Sequence, residues 1–212
     1  MKKWYLAVQV GLFSALSLAA ATSYAGQISS NLTATSNYIW RGVSQTGDDA
    51  AVQGGVDYTI NKNFYAGAWT SNVEFGGNSD TELDIYGGYT NKFGDFDFDA
   101  GLITYQYIGS SGQDDFTEAY AGTVYKNYSA KISIDINESD IYLEGAADFE
   151  MPDKYLLTVH LGIYSYDRTG AQYEDYNDYS ATISKGELSF MVSNTDKTND
   201  DINVNVSWTK TF

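Results

Sequence analysis

The chain has no cysteine, one proline, one histidine and only 12 lysines and arginines among its 212 residues. Each shortage excludes something. Without cysteine there is no disulfide scaffold and no thiolate metal or redox site. With 28 acidic side chains against those 12 bases and a sequence pI near 4.1, nucleic-acid binding is excluded, because it needs clustered Lys and Arg against phosphates. A single proline is sparse for a loop-heavy fold. What is present is aromatic: 16% of the residues, 19 of them tyrosine, within 43% apolar content. That is too rich for a disordered acidic chain, so one ordered, strand-rich domain is expected.

Lys2 and Lys3 precede an apolar stretch from Trp4 to about Ala21, and Ser23, Tyr24 and Ala25 supply a small-residue cleavage site. Residues 1–25 therefore read as a secretory signal peptide. Its removal takes two lysines and no acids, leaving 10 bases against 28 acids over residues 26–212. No later run is long enough for a transmembrane helix.

Downstream, polar and apolar residues alternate with period two. In the last segment Ile202, Val204, Val206, Trp208 and Phe212 share one face, interrupted only by Lys210, and Asn203, Asn205 and Ser207 the other. Ile28, Leu32, Ala34, Tyr38 and Trp40 form another such face, as do Tyr65, Gly67 and Trp69. Twelve segments of this kind are found. Twelve strands of about 10 residues with connections of about 6 take up the whole chain after the signal, which leaves no second domain.

The connections alternate in length. Tight turns near residues 61–63, 91–95, 126–127, 150–154 and 185–187 alternate with longer stretches rich in Gly, Asn, Ser and acid. Tyr58, Tyr65, Tyr89, Phe96, Tyr125, Tyr128, Phe149 and Tyr155 flank the tight turns, as an interfacial aromatic girdle does. Charges inside the strands, namely Asp57, Glu82, Asp84, Asp97, Asp99, Glu118, Lys131, Asp135, Glu144 and Asp148, share the parity of the polar set. On a lipid face each would cost up to about 2–4 kcal/mol at mid-membrane, least for the acids. The expectation is all-β: an antiparallel up-and-down barrel spanning an outer membrane, with short periplasmic turns and longer extracellular loops. A water-soluble sandwich also alternates, but it would need more large aliphatics facing one another.

The stretches NYIWRGVSQT (37–46), AVQGGVDY (51–58), FYAGAWTSNVEF (64–75), ELDIYGGY (82–89) and FTEAYAGTVY (116–125) resemble the TorF porin family of proteobacterial outer membranes. The resemblance is fairly specific in the first half of the chain and mostly strand pattern in the second. It implies an outer-membrane barrel that acts as a channel in a Gram-negative bacterium, and it brings no catalytic or substrate-binding residues with it.

Twelve strands lie between barrels filled by side chains and open porins. No connection exceeds about eleven residues, so neither a plug domain nor a deep constriction loop is expected, and narrowing falls to wall side chains. Tyr86, Tyr105, Tyr107, Tyr120, Tyr142 and Tyr164 share the inward parity, as does His160. Nine inward acids against Lys131 and a mostly neutral His160 favour cations or small neutral solutes. The alternative is a closed structural or interaction barrel. A lipid-acting enzyme is not expected, since His160 lies on the inward face and acyl transfer needs a nucleophile and a base within reach of the ester. No metal or cofactor is expected. The acid pairs Asp48–Asp49, Asp114–Asp115 and Asp200–Asp201 read as solvated loop charges rather than cation ligands between lipopolysaccharide phosphates. Expected partners are outer-membrane lipids, lipopolysaccharide, small polar solutes and the outer-membrane assembly machinery, which the terminal Trp208 and Phe212 would engage. Trp40 and Arg41 read as the start of the first outer loop, Trp40 as a girdle residue.

Overall fold

The computed structural model describes residues 26–75, 80–109, 115–170, 173–198 and 201–212. The signal segment 1–25 lies outside them, as do Asp114 and Asp200. Fourteen strands are found among the described residues: β1 (Gln27–Thr35), β2 (Ile39–Trp40), β3 (Val43–Ser44), β4 (Ala51–Thr59), β5 (Phe64–Asn72), β6 (Thr81–Phe93), β7 (Phe96–Ile108), β8 (Phe116–Tyr125), β9 (Tyr128–Asp135), β10 (Ile141–Met151), β11 (Tyr155–Ser165), β12 (Tyr176–Lys185), β13 (Leu188–Thr195) and β14 (Asn203–Thr211). Twelve of them close into one antiparallel barrel, in which each pairs with its sequence neighbours and β1 seals against β14. β2 and β3 form a separate hairpin in the connection between β1 and β4.

Closure leaves no barrel strand with an unpaired edge, a requirement for any sheet crossing hydrocarbon. The outer wall carries the apolar set: Val52, Ile85, Leu102, Leu143, Leu161, Ile163, Val192 and Val206 are all exposed, Leu161 by 62%. The charged set points the other way. Glu82, Glu118, Asp135, Glu144 and His160 are buried, and Asp84 is 0% exposed. Grease outside and charge inside is the reverse of a water-soluble core and the distribution that a surrounding bilayer imposes.

Gly26, Phe212 and all the tight turns lie at one end of the barrel; we call this the short-turn end and the other the long-loop end. Tyr58, Tyr89, Phe96, Tyr125, Tyr128, Phe149 and Tyr155 form an outward band near the short turns, with Phe96 stacked on Tyr125 at 4.5 Å between centroids. Lys210, the one charge on the apolar face of β14, also lies here. Its Nζ pairs with Glu187 Oε1 at 2.5 Å and Trp208 Nε1 donates to Glu187 Oε2 at 2.9 Å. Those two bonds hold the exposed Glu187 carboxyl below the usual range.

Two sequence expectations are overturned. Tyr65, Gly67 and Trp69 face the lumen, not lipid: Tyr65 and Trp69 are buried, while the opposite face of β5 carries Phe64, Ala66 and Ala68. β5 has an aromatic residue on each face, so alternation alone does not give its sense. The Tyr65 hydroxyl decides it, because inside it donates to Asp99 Oδ1 at 2.8 Å and meets the Tyr120 hydroxyl at 2.6 Å. Phe64 takes its place in the girdle, edge-on to Tyr89 at 5.1 Å.

The second correction is larger. The first strand ends at Thr35 instead of running out to Trp40. The chain from 36 to 50 then turns inward and fills the long-loop end of the barrel. Tyr38, Ile39 and Arg41 are buried there, and Trp40 is half-buried.

Candidate functional site

The inward hairpin is built from short-range polar bonds. Thr35 Oγ1 donates to the Asn37 carbonyl at 2.9 Å and so turns the chain. Asn205 of β14 also donates to that carbonyl, and to Thr35 Oγ1 at 2.7 Å. Ser44 Oγ and Thr46 Oγ1 both donate to Asn37 Oδ1, at 2.7 and 3.2 Å. β2 and β3 then pair as Ile39 with Ser44 and Trp40 with Val43. The tip is Arg41–Gly42, with φ of 50° and 81°, the positive values a two-residue hairpin turn requires. For glycine this conformation is free; for arginine it is uncommon and persists only when the surroundings enforce it.

What enforces it is the barrel wall. Arg41 Nη1 and Nη2 donate to Glu118 Oε1 and Oε2 at 2.8 and 2.7 Å. Both side chains are almost wholly buried. The guanidinium carbon lies 4.2 Å from the ring centre of Trp40, 4.1 Å from Tyr142 and 5.2 Å from Tyr164. Tyr105 OH donates to Glu118 Oε2 at 3.2 Å, and Trp40 rests edge-on against Tyr105. Gly42 is wedged against β12 and β13, and its carbonyl accepts from Asn203 Nδ2 at 3.0 Å. A β-carbon there would lie 2.5 Å from Thr195 Cγ2 and 2.7 Å from Asp178 Cβ. Gly42→Val should therefore drive the hairpin out of the barrel. Trypsin is expected to cut the folded variant after Arg41 while the parent resists, and equal resistance would show that the hairpin fits another way.

Beside the tip, a cavity of about 30 Å³ is lined in part by Lys131, Tyr142, Glu144, His160 and Asp178, room for a water or two. These residues form one relay. Lys131 Nζ is 2.8 Å from Glu144 Oε1, His160 Nε2 is 3.2 Å from Glu144 Oε2 and His160 Nδ1 is 3.3 Å from Asp178 Oδ1. Tyr142 OH donates to Asp178 Oδ2 at 2.8 Å. With a carboxylate at each ring nitrogen, an imidazole carrying two protons can donate to both. The mostly neutral imidazole expected from the sequence would donate to only one of them. Asp178 shares the inward parity of β12, a signal that could have found it.

The other inward acids divide by height. Toward the short-turn end Asp57 accepts from Tyr86 at 2.5 Å, Asp148 from Thr158 at 2.7 Å, and Asp97 pairs with Lys92 at 2.7 Å. These groups are only partly buried. Toward the long-loop end Glu82 and Asp84 are buried side by side among Tyr38, Trp69, Tyr105 and Tyr107. Asp135 accepts from the backbone of Asn137 at 2.8 Å. The inward acids are thus partly exposed toward the short-turn end and buried among aromatics and the hairpin toward the long-loop end. Glycines on facing strands make room for the tyrosines: a β-carbon at Gly88 would collide with the Tyr65 ring, and one at Gly162 with Tyr142.

Trp40 therefore lies in the lumen and not in the girdle, Arg41 lies there with it, and the narrowing comes from a connection as well as from the wall. Among the loop acids, Asp48 accepts from Asn37 Nδ2 at 2.8 Å and Asp115 from the Tyr107 amide at 2.8 Å. No cluster of three or more metal-ligating residues occurs among the described residues. Trp208 and Phe212 lie on the outer surface of β14 and at its end.

Comparison with known proteins adds three findings. A family model described as "Bacterial protein of unknown function (Gcw_chp)" matches residues 19–209. No curated protein sequence matches. Among solved structures the KdgM porin superposes with a TM-score of 0.58 at 11% identity, over 87% of this chain and 98% of that one. A KdgM porin in complex with disordered oligogalacturonate gives 0.53 at 12% identity, over 90% and 98%. At such identities the likeness establishes the fold, a closed antiparallel barrel.

Proposed function

The chain belongs to the Gcw_chp family of bacterial proteins of unknown function, and from that premise we propose that it is an outer-membrane porin-like barrel passing small cations and neutral polar solutes. The inward segregation of acids carries this reading. A low-dielectric wall lined on one side by carboxylates focuses a negative potential down the lumen, which draws cations and repels anions. The oligogalacturonate held by one KdgM structure is a polyanion, and this lumen is poorly suited to it. A Gram-negative outer membrane, reached by way of the N-terminal signal, suits the apolar exterior, the aromatic band and the long polar loops. Lipopolysaccharide would surround those loops, and the assembly machinery would read Trp208 and Phe212.

The hairpin makes the passage conditional. With Arg41 seated, the hairpin occupies the long-loop end of the lumen, and on this reading flow requires it to move. The seated state also favours the alternative of a closed structural barrel. An enzymatic role is disfavoured because both nitrogens of His160 are taken up by carboxylates, so the single histidine is not free to activate a nucleophile.

Planar-bilayer recordings separate these readings. The parent protein should show small, infrequent openings, Gly42→Val should conduct continuously, and in a KCl gradient the reversal potential should have the sign of cation selectivity. Anion selectivity would overturn the acidic-lumen argument. Silence from both proteins would leave the closed structural barrel.

A further inference from the structure

Arg41 behaves as a ligand in a site made by the rest of the barrel. We propose that Glu118, Tyr105, Tyr142 and Tyr164 form a binding site for guanidinium-bearing solutes, in which Arg41 is the resident stand-in that a free solute replaces when the hairpin leaves. This rests on reading the lumen as a passage, and it names both the solute class and what holds the passage shut.

The wall contribution survives removal of the hairpin. Glu118 stands on β8, Tyr105 on β7, Tyr142 on β10 and Tyr164 on β11, so only Arg41 and Trp40 depart with the loop. Each remaining side chain has a partner in the wall. Tyr105 OH donates to Glu118, Tyr142 OH donates to Asp178, and Tyr164 stacks within 5° of parallel on Tyr176 at 5.5 Å. Left empty, the site would hold the Glu118 carboxylate without its counter-cation.

The geometry selects the kind of cation. Two parallel bonds to one carboxylate match the planar fork of a guanidinium, and an ammonium cannot reproduce them. Aromatic faces at 4.1 and 5.2 Å suit a flat, weakly hydrated cation. The strained φ of 50° at Arg41 is explained by the same site, because the wall holds the arginine there against its backbone preference. The loop supplies its own arginine at an effective concentration in the millimolar range. A free solute therefore competes at about that concentration, and its binding and hairpin release favour each other.

The test uses the refolded full barrel in detergent with methylguanidinium, and methylammonium at equal ionic strength as the control. By calorimetry, Arg41→Ala should bind methylguanidinium at least tenfold more tightly than the parent does and tenfold more tightly than it binds methylammonium. Adding Glu118→Gln should abolish that preference. Gly42→Val, which displaces the hairpin with its arginine intact, provides the same titration should Arg41→Ala not refold. Equal binding of the two cations, or binding indifferent to Glu118→Gln, would overturn the proposal. The channel reading fails separately: a variant that binds methylguanidinium yet never conducts keeps this site and loses the passage, whereas one that conducts cations without preferring guanidinium does the reverse.

Discussion

Glu118→Ala should release the hairpin while leaving the barrel closed. The substitution strands Arg41 among three aromatic rings with no counter-charge, and breaking a buried ion pair by removing one partner costs about 3–5 kcal/mol. The wall ladder does not pass through Arg41, so the loss falls on the balance between seated and released hairpin, by roughly two to nearly four powers of ten. Trypsin should then cut after Arg41 in a barrel that still migrates as a folded species on unheated gels. Replacing both partners with apolar residues, as in Arg41→Met with Glu118→Leu, should recover most of the seating, since it strands no charge. A single variant as resistant as the parent would show that packing of Trp40 and Tyr38, not the ion pair, holds the loop.

Leu161→Arg carries the second large effect. Leu161 lies midway along β11 on the outer wall and is 62% exposed. At that depth a lipid-facing arginine costs about 2–4 kcal/mol. The same change at inward Asn31, midway along β1 and only half-buried, should cost little, because the cation there joins a partly exposed, acidic space. Urea unfolding from liposomes measures both. Equal costs at the two positions would contradict the assignment of faces on which every functional statement here depends.

Much of this was legible in the residues. Asp84, Asp99, Glu118 and Glu144 gave away the inward face because charge is the one property a strand cannot hide from a bilayer. The tight turns and terminal strand gave the closure. Alternation failed where its contrast failed: β5 sets Phe64 against Tyr65, and only the search of a phenol for Asp99 tells them apart. It also says nothing about where a connection goes once it leaves the wall. Three consecutive apolar residues, Tyr38, Ile39 and Trp40, broke the period before an Arg-Gly pair, and that was the available hint of a hairpin. X-Gly is a weaker turn signal than Asn-Gly, and the bidentate partner lies 77 residues away.

That separation bears on how the molecule is made. The stopper belongs to the first connection of the chain, yet beside Glu118 on β8 the atoms that grip it, Asn203 and Asn205 on β14, Thr195 on β13 and Asp178 on β12, belong to the last third. Its seat is complete only when the final staves are in place, so the cork is fully held only as the seam is sewn.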